Sequence, residues 1–370
     1  MTTKLYSATK LGRYTPSHRV ALAPMTRLRT IQPGDIPSPM MADFYGQRAS
    51  QGGLEIVEGV SISITARSYL GAASFYHDGQ MAGWKAVADA VHAKGGIVFM
   101  QLIHGGRQSH VEMTGGVAPL APSVVPFDGV ALTKDGFVPA SPHREIAIEE
   151  IPGIIEEFRL AAQRAKDAGF DGVELHGANG YLVDQFIQDG SNHRTDAYGG
   201  PIENRVRFLK EAVEALISVW GADRVGVRIS PSGEWGDISD SDPEATFSYV
   251  ARTLDAYGLA YLHVIEPRIK GDSTLHEGHA PVAAAYLRPH FSGPIIAAGG
   301  FDRKGAQAIV ESGVADLVAF GRLFASNPDL PHRLAHDLPL TPYQREHFWG
   351  GTEVGYTDYP FADQAADIAA

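Results

Sequence analysis

Ala168-Gly169-Phe170-Asp171-Gly172-Val173-Glu174-Leu175-His176 carries the alternation on which the fold turns. Upstream of it, Ile154, Ile155, Phe158, Ala162 and Ala165 mark one helix face. Gly169 stops that helix, and Asp171 to His176 then reads as a strand running out to a loop. The pattern recurs three times. Val206, Leu209, Val213, Leu216 and Ile217 precede Gly221 and a strand from Val225 to Ser230; Val250, Leu254 and Tyr257 precede Gly258 and a strand from Ala260 to Glu266. Ile309 and Val310 precede Gly313 and the strand Asp316 to Phe320. Val20 to Pro24, Leu54 to Ile62, Ile97 to Gln101 and Pro294 to Ala298 bring the candidate strands to eight.

Such βα units suit either an open doubly wound sheet or a closed barrel. No Gly-x-Gly-x-x-Gly follows an early strand, so the dinucleotide-binding version of the open sheet loses its main support. The expectation is an α/β fold, a (β/α)8 TIM barrel formed by residues 1–370 as a single domain. Residues 104–148, rich in Pro, Gly and Ser, are too long for a simple loop between strand and helix. They are expected to fold over the barrel mouth as a capping excursion.

Composition narrows the chemistry. The 370 residues are 44% hydrophobic and 20% charged, with a net charge of −12 that repels nucleic acid and anionic membranes on average. Zero cysteine removes disulfides, iron-sulfur clusters, zinc-thiolate sites and thiol nucleophiles. No run approaches a spanning helix and the start, Met1 to Tyr6, lacks the apolar core of a signal peptide, so the cytosol is the expected compartment. Small-molecule partners and a monomer or small homo-oligomer are expected. His276-Glu277-Gly278-His279 and Asn192-His193-Arg194-Thr195-Asp196 hold metal-ligand residue types without a metal-site spacing, and no metal is expected there.

Active sites of these barrels lie at the carboxyl ends of the strands. The polar residues at those ends are Thr26, Glu58 with Gly59, Gln101 with His104, the set His176, Asn179 and Tyr181, and Arg228, followed by Gly299, Gly300 and Arg322. His176, Asn179 and Tyr181 set an imidazole, an amide and a phenol in one turn, all able to donate hydrogen bonds at neutral pH, which suits a developing oxyanion. A phenol with a pKa near ~10 is also a competent general acid. Gly299 and Gly300 after the seventh strand and Gly321 with Arg322 after the eighth form the loops where many such barrels hold a phosphate. Glycine lets backbone N–H groups approach the anion, and arginine offers a two-pronged donor.

His-x-x-Asn-x-Tyr at 176–181, Ala-Pro-Met-Thr-Arg at 23–27 and Gly-Tyr-Thr-Asp-Tyr-Pro at 355–360 resemble old yellow enzymes, and the likeness spans nearly the whole chain. Met41 to Tyr45 with Gln47 to Ser50, Ala168 to Gly172, Arg194 to Gly200 with Glu203 to Arg205, and Ser326 to Leu330 carry it further. The resemblance implies non-covalent FMN, with Pro24, Met25 and Thr26 along the ring and Thr26 donating to its O4. It also implies Gln101 and Arg228 on the pyrimidine side, Gly59 near the ring, and Gly299, Gly300, Gly321 and Arg322 around the phosphate. NADH or NADPH would supply the hydride. His176 and Asn179 would then grip the oxygen of an α,β-unsaturated carbonyl or nitro compound while Tyr181 protonates its α-carbon. Ile103 and Tyr356 would line the substrate pocket, Ile103 standing where much of the Thr-bearing group has tryptophan. A non-catalytic flavin-binding barrel is the alternative that Tyr181 argues against.

Overall fold

The computed structural model describes residues 3–267, 269–270, 273–274 and 282–363; His276 to His279 lie outside them. Eight parallel strands close into a barrel: β1 Val20–Leu22, β2 Leu54–Ser61, β3 Ile97–Ile103, β4 Gly172–Gly177, β5 Val225–Ile229, β6 Tyr261–Ile265, β7 Ile295–Ala298 and β8 Leu317–Phe320. Neighbours in sequence pair throughout, and β1 meets β8 through Val20↔Val318 and Leu22↔Phe320 to complete the ring. Helices α1 Pro39–Arg48, α2 Met81–His92, α3 Ile151–Asp167, α4 Arg207–Trp220, α5 Pro243–Asp255, α6 Ala284–Leu287, α7 Arg303–Glu311 and α8 Leu330–His336 follow the successive strands. This is the TIM barrel that the glycine-punctuated pattern implies.

Period-two alternation divides the apolar residues into two cores. Val98, Met100 and Leu102 of β3 pack outward in the shell shared with the helices. Phe99 joins Ala21, Leu54, Ile56, Tyr261, Ile296 and Leu317 in the second core, which fills the barrel interior, and Leu11 packs with them. β1 stops short of the expected Pro24. Ala23 N–H still donates to the Phe320 carbonyl at 3.0 Å, but proline has no N–H with which to continue the ladder.

One irregularity bears on the site. The register between β2 and β3 shifts between Val57 and Val60, and both valines face the helical shell although they are three residues apart. An extra residue of this kind reverses the parity of the strand. Gly59 therefore faces the cavity, while Glu58 turns to accept from Arg27 N–H at 3.2 Å and from the Tyr45 hydroxyl at 3.3 Å.

Within 104–148, strand Leu120–Ala121 pairs with Arg144–Glu145, and a hairpin joins Val130–Thr133 to Gly136–Pro139 through Gly136 at φ +93°. A bridge between Tyr69 and Leu132 sets this hairpin against the loop after β2. Arg194 closes the base, donating to the Pro122 carbonyl at 3.0 Å and to the Ile146 carbonyl at 2.7 Å.

Candidate active site

The carboxyl ends of the strands open into a cavity of about 570 Å³. Pro24, Met25, Thr26, Gly59, Gln101, Ile103, His176, Asn179, Tyr181, Arg228, Gly299, Gly300, Gly321 and Arg322 all line it. Tyr356 does not. Its ring is fully buried and stacked on Phe44 of α1 at 4.3 Å, with the guanidinium carbons of Arg27 and Arg29 5.0 and 4.5 Å from its centre. The expected pocket role for Tyr356 is thus corrected to packing between α1 and the C-terminal segment, where its ring stacks on Phe44 beside the Arg27 and Arg29 guanidinium groups. His104 is likewise buried away from the cavity; its Nδ1 accepts from Gly106 N–H at 3.1 Å and burial pushes its pKa down to about 3.

A polar layer inside the barrel supports the floor of the cavity. Gln101 Nε2 donates to Glu174 Oε1 at 2.7 Å, and His263 Nδ1 lies 2.8 Å from Glu174 Oε2, both residues of that contact being fully buried. Burial opposes charge on Glu174, but His263, Arg228 and Gln101 outweigh it and hold the carboxyl below its ordinary range. Arg228 Nε is buried with no hydrogen-bond partner among the described residues, a donor left for something that enters from the cavity.

These residues fit FMN. A Cβ on Gly59 would come within 3.3 Å of both Gln101 and Ile103, and one on Gly321 within 3.2 Å of the Met25 sulfur, so both glycines keep backbone open where a flat ring would lie. Gly299 at φ +126° and Gly300 at φ +62° adopt conformations that glycine takes freely, and both line the cavity with Arg322, whose charge suits a phosphate. Arg322 also lies 5.6 Å from the Tyr343 ring.

Opposite this cradle stands the donor set. His176 and Tyr181 meet edge to face at 5.1 Å between ring centres. Burial, reinforced by Arg228 and His263, lowers the His176 pKa well below the ordinary imidazole value, so the ring stays neutral near pH 7. Its Nδ1 has no hydrogen-bond partner among the described residues. Burial raises the Tyr181 phenol well above its ordinary value, aided by Tyr69, whose hydroxyl lies 3.5 Å away. Tyr181 is thereby fully protonated at neutral pH.

The wall residues that sequence reading missed include Tyr69 after β2, Trp235 after β5, and Tyr343, Phe348 and Trp349 of the C-terminal segment. All lie in irregular loops where no periodicity assigns a direction. Val130 and Phe137 from the excursion also reach the wall, Phe137 being 62% exposed at its rim.

A family model described as NADH:flavin oxidoreductase / NADH oxidase family matches residues 4–341. The chain is 45% identical over 363 residues to 12-oxophytodienoate reductase 1 of Oryza sativa subsp. japonica, covering 96% of this chain and 92% of that relative. Its structure is similar to morphinone reductase in complex with tetrahydroNAD, with a TM-score of 0.91 at 45% identity over 98% of each chain. The old yellow enzyme homologue of Zymomonas mobilis superposes with a TM-score of 0.92 at 39% identity, covering 96% of this chain and 99% of its own.

Proposed function

Because the chain belongs to the NADH:flavin oxidoreductase / NADH oxidase family, and is thereby an FMN-dependent old yellow enzyme, we propose that it reduces the activated C=C bond of α,β-unsaturated carbonyl or nitro compounds. The observation that carries this reading is the neutral His176, Asn179 and protonated Tyr181 lining one cavity with the flavin cradle. FMN held by these residues would supply the hydride-transfer chemistry, with a reduced nicotinamide as the hydride source and the β-carbon as its acceptor. His176 and Asn179 donate to the substrate oxygen, withdraw charge from the alkene and hold the oxygen as it becomes an enolate. Tyr181 gives its phenolic proton to the α-carbon, its hydroxyl lying 3.5 Å from that of Tyr69. Residues 1–370 act as one catalytic unit, with 104–148 capping the mouth. The relatives named above are a 12-oxophytodienoate reductase and a morphinone reductase, in keeping with an oxygen-activated alkene. Family membership removes the non-catalytic alternative.

Stopped-flow kinetics of the two half-reactions test the assignment. Tyr181→Phe is expected to leave flavin reduction by NADH or NADPH nearly intact and to slow flavin reoxidation by cyclohexenone about 100-fold or more. Equal loss in both half-reactions overturns the role of Tyr181.

A further inference from the structure

The turn between β4 and helix Leu182–Ile187 holds two successive residues in the left-handed region, Asn179 at φ +58° and Gly180 at φ +67°. Glycine takes this conformation freely. Asparagine tolerates it better than other side chains but still at a cost, so something must hold it there. Hydrogen bonds do so, from Gln108 and Gln185 to the Asn179 and Gly180 carbonyls and through four more that meet at Ser230 and Asp184. Asn179 N–H donates to Ser230 Oγ at 2.7 Å, the Ser230 hydroxyl donates to Asp184 Oδ2 at 3.3 Å, and Gly180 N–H donates to the same Oδ2 at 2.9 Å. Gln188 Nε2 donates to Asp184 Oδ1 at 2.7 Å.

Ser230 and Asp184 come from different segments, yet with the Asn179–Gly180 backbone they form one closed ring of hydrogen bonds. Both are buried, and neither lines the cavity. Asp184 forms no salt bridge among the described residues. A buried carboxylate is expensive unless donors surround it, and here the donors are those that shape this turn. On the other side of the turn a Cβ on Gly180 would sit 2.4 Å from the Trp235 carbonyl, so the turn has little room to relax.

We propose that Asp184, acting with Ser230, is a positioning residue that sets the Asn179 amide against the substrate oxygen and influences binding only through Asn179. This rests on the role given to Asn179 above. A network that serves one side chain has a signature that general destabilisation lacks: once that side chain is removed, removing the network costs no further affinity.

The experiment is a double-mutant cycle on the FMN-loaded enzyme, titrated with p-hydroxybenzaldehyde and read by the change in flavin absorbance. Asn179→Ala is expected to weaken binding about 10-fold or more, and Asp184→Ala about 10-fold, the scale of one well-placed hydrogen bond. Asp184→Asn is expected to retain most of the affinity, since its amide oxygen still accepts from Gly180 and Ser230 while Gln188 reverses its own amide. The double variant Asn179→Ala/Asp184→Ala is expected to bind no more weakly than Asn179→Ala. If Asn179→Ala weakens binding and Asp184→Ala does not, or if the two losses multiply, the positioning role is overturned. If Asn179→Ala itself has no effect, the reading of Asn179 fails first, and the inference with it. Should Asp184→Ala not fold, Ser230→Ala takes its place in the cycle: a loss absent from the Asn179→Ala background supports the positioning role, and a loss that persists there overturns it.

Discussion

At the scale of single residues, Ile103 illustrates how pleat parity turns into selectivity. It lines the cavity two residues beyond Gln101, on the same face of β3 and with its side chain beside Gly59. A pocket that gains or loses a methylene discriminates between substrates by roughly 1 to 3 kcal/mol. Ile103→Trp is therefore expected to depress rates on ring-substituted cyclohexenones relative to cyclohexenone itself. An unchanged ratio in steady-state assays removes Ile103 from the substrate wall. Ile103 was legible because nothing disturbs β3, whereas the bulge in β2 exchanges the directions of Glu58 and Gly59, and alternation counted from Leu54 and Ile56 sends the carboxylate inward. Tyr356 failed for a different reason. Its motif gives no hint that Phe44, Arg27 and Arg29, all more than three hundred residues upstream, build a better berth for the ring than the cavity does.

At the scale of elements, every barrel strand was legible, four of them because a helix ending in glycine before a short apolar run leaves few alternatives. The long excursion was legible only as a length of chain. Its hairpin and its tether depend on Arg194, a buried cation whose bonds reach back to Pro122 and Ile146 and bidentately to Asp196 at 3.1 and 2.5 Å. Asn192 fixes the Arg194 backbone in turn, its Oδ1 accepting from Arg194 N–H at 3.1 Å while its Nδ2 donates to the Phe186 and Tyr198 carbonyls at 2.7 and 2.8 Å. Buried carbonyls stripped of a charged donor cost about 1–3 kcal/mol, enough to raise the open population of a loop about tenfold. Arg194→Met is accordingly expected to accelerate limited proteolysis within residues 122–146 about tenfold while FMN stays bound. Cleavage at the native rate shows that another contact holds the excursion.

For the whole molecule, buried acids make stability depend on pH. Burial lifts Asp184 to about 7, with the neighbouring Asp240 adding to the shift against the Gln188, Gly180 and Ser230 donors, and burial lifts Glu58 to about 7 as well. A carboxyl with a raised pKa binds more protons folded than unfolded between about pH 4 and 7, so its contribution to stability falls as pH rises through that window. Asp184→Asn cannot titrate. Relative to the native protein its thermal midpoint is expected to improve from pH 5 to pH 8, and a constant difference across that range means that Asp184 keeps an ordinary pKa. A division of labour also runs through the architecture. Strand ends hold the flavin cradle, while Phe137, Trp235, Phe348 and Trp349 reach the cavity from segments outside the barrel. Those covers can be exchanged or lengthened without disturbing the register of any strand. Change confined to those loops can thus reshape the outer wall of the cavity while its strand-borne floor is inherited unaltered.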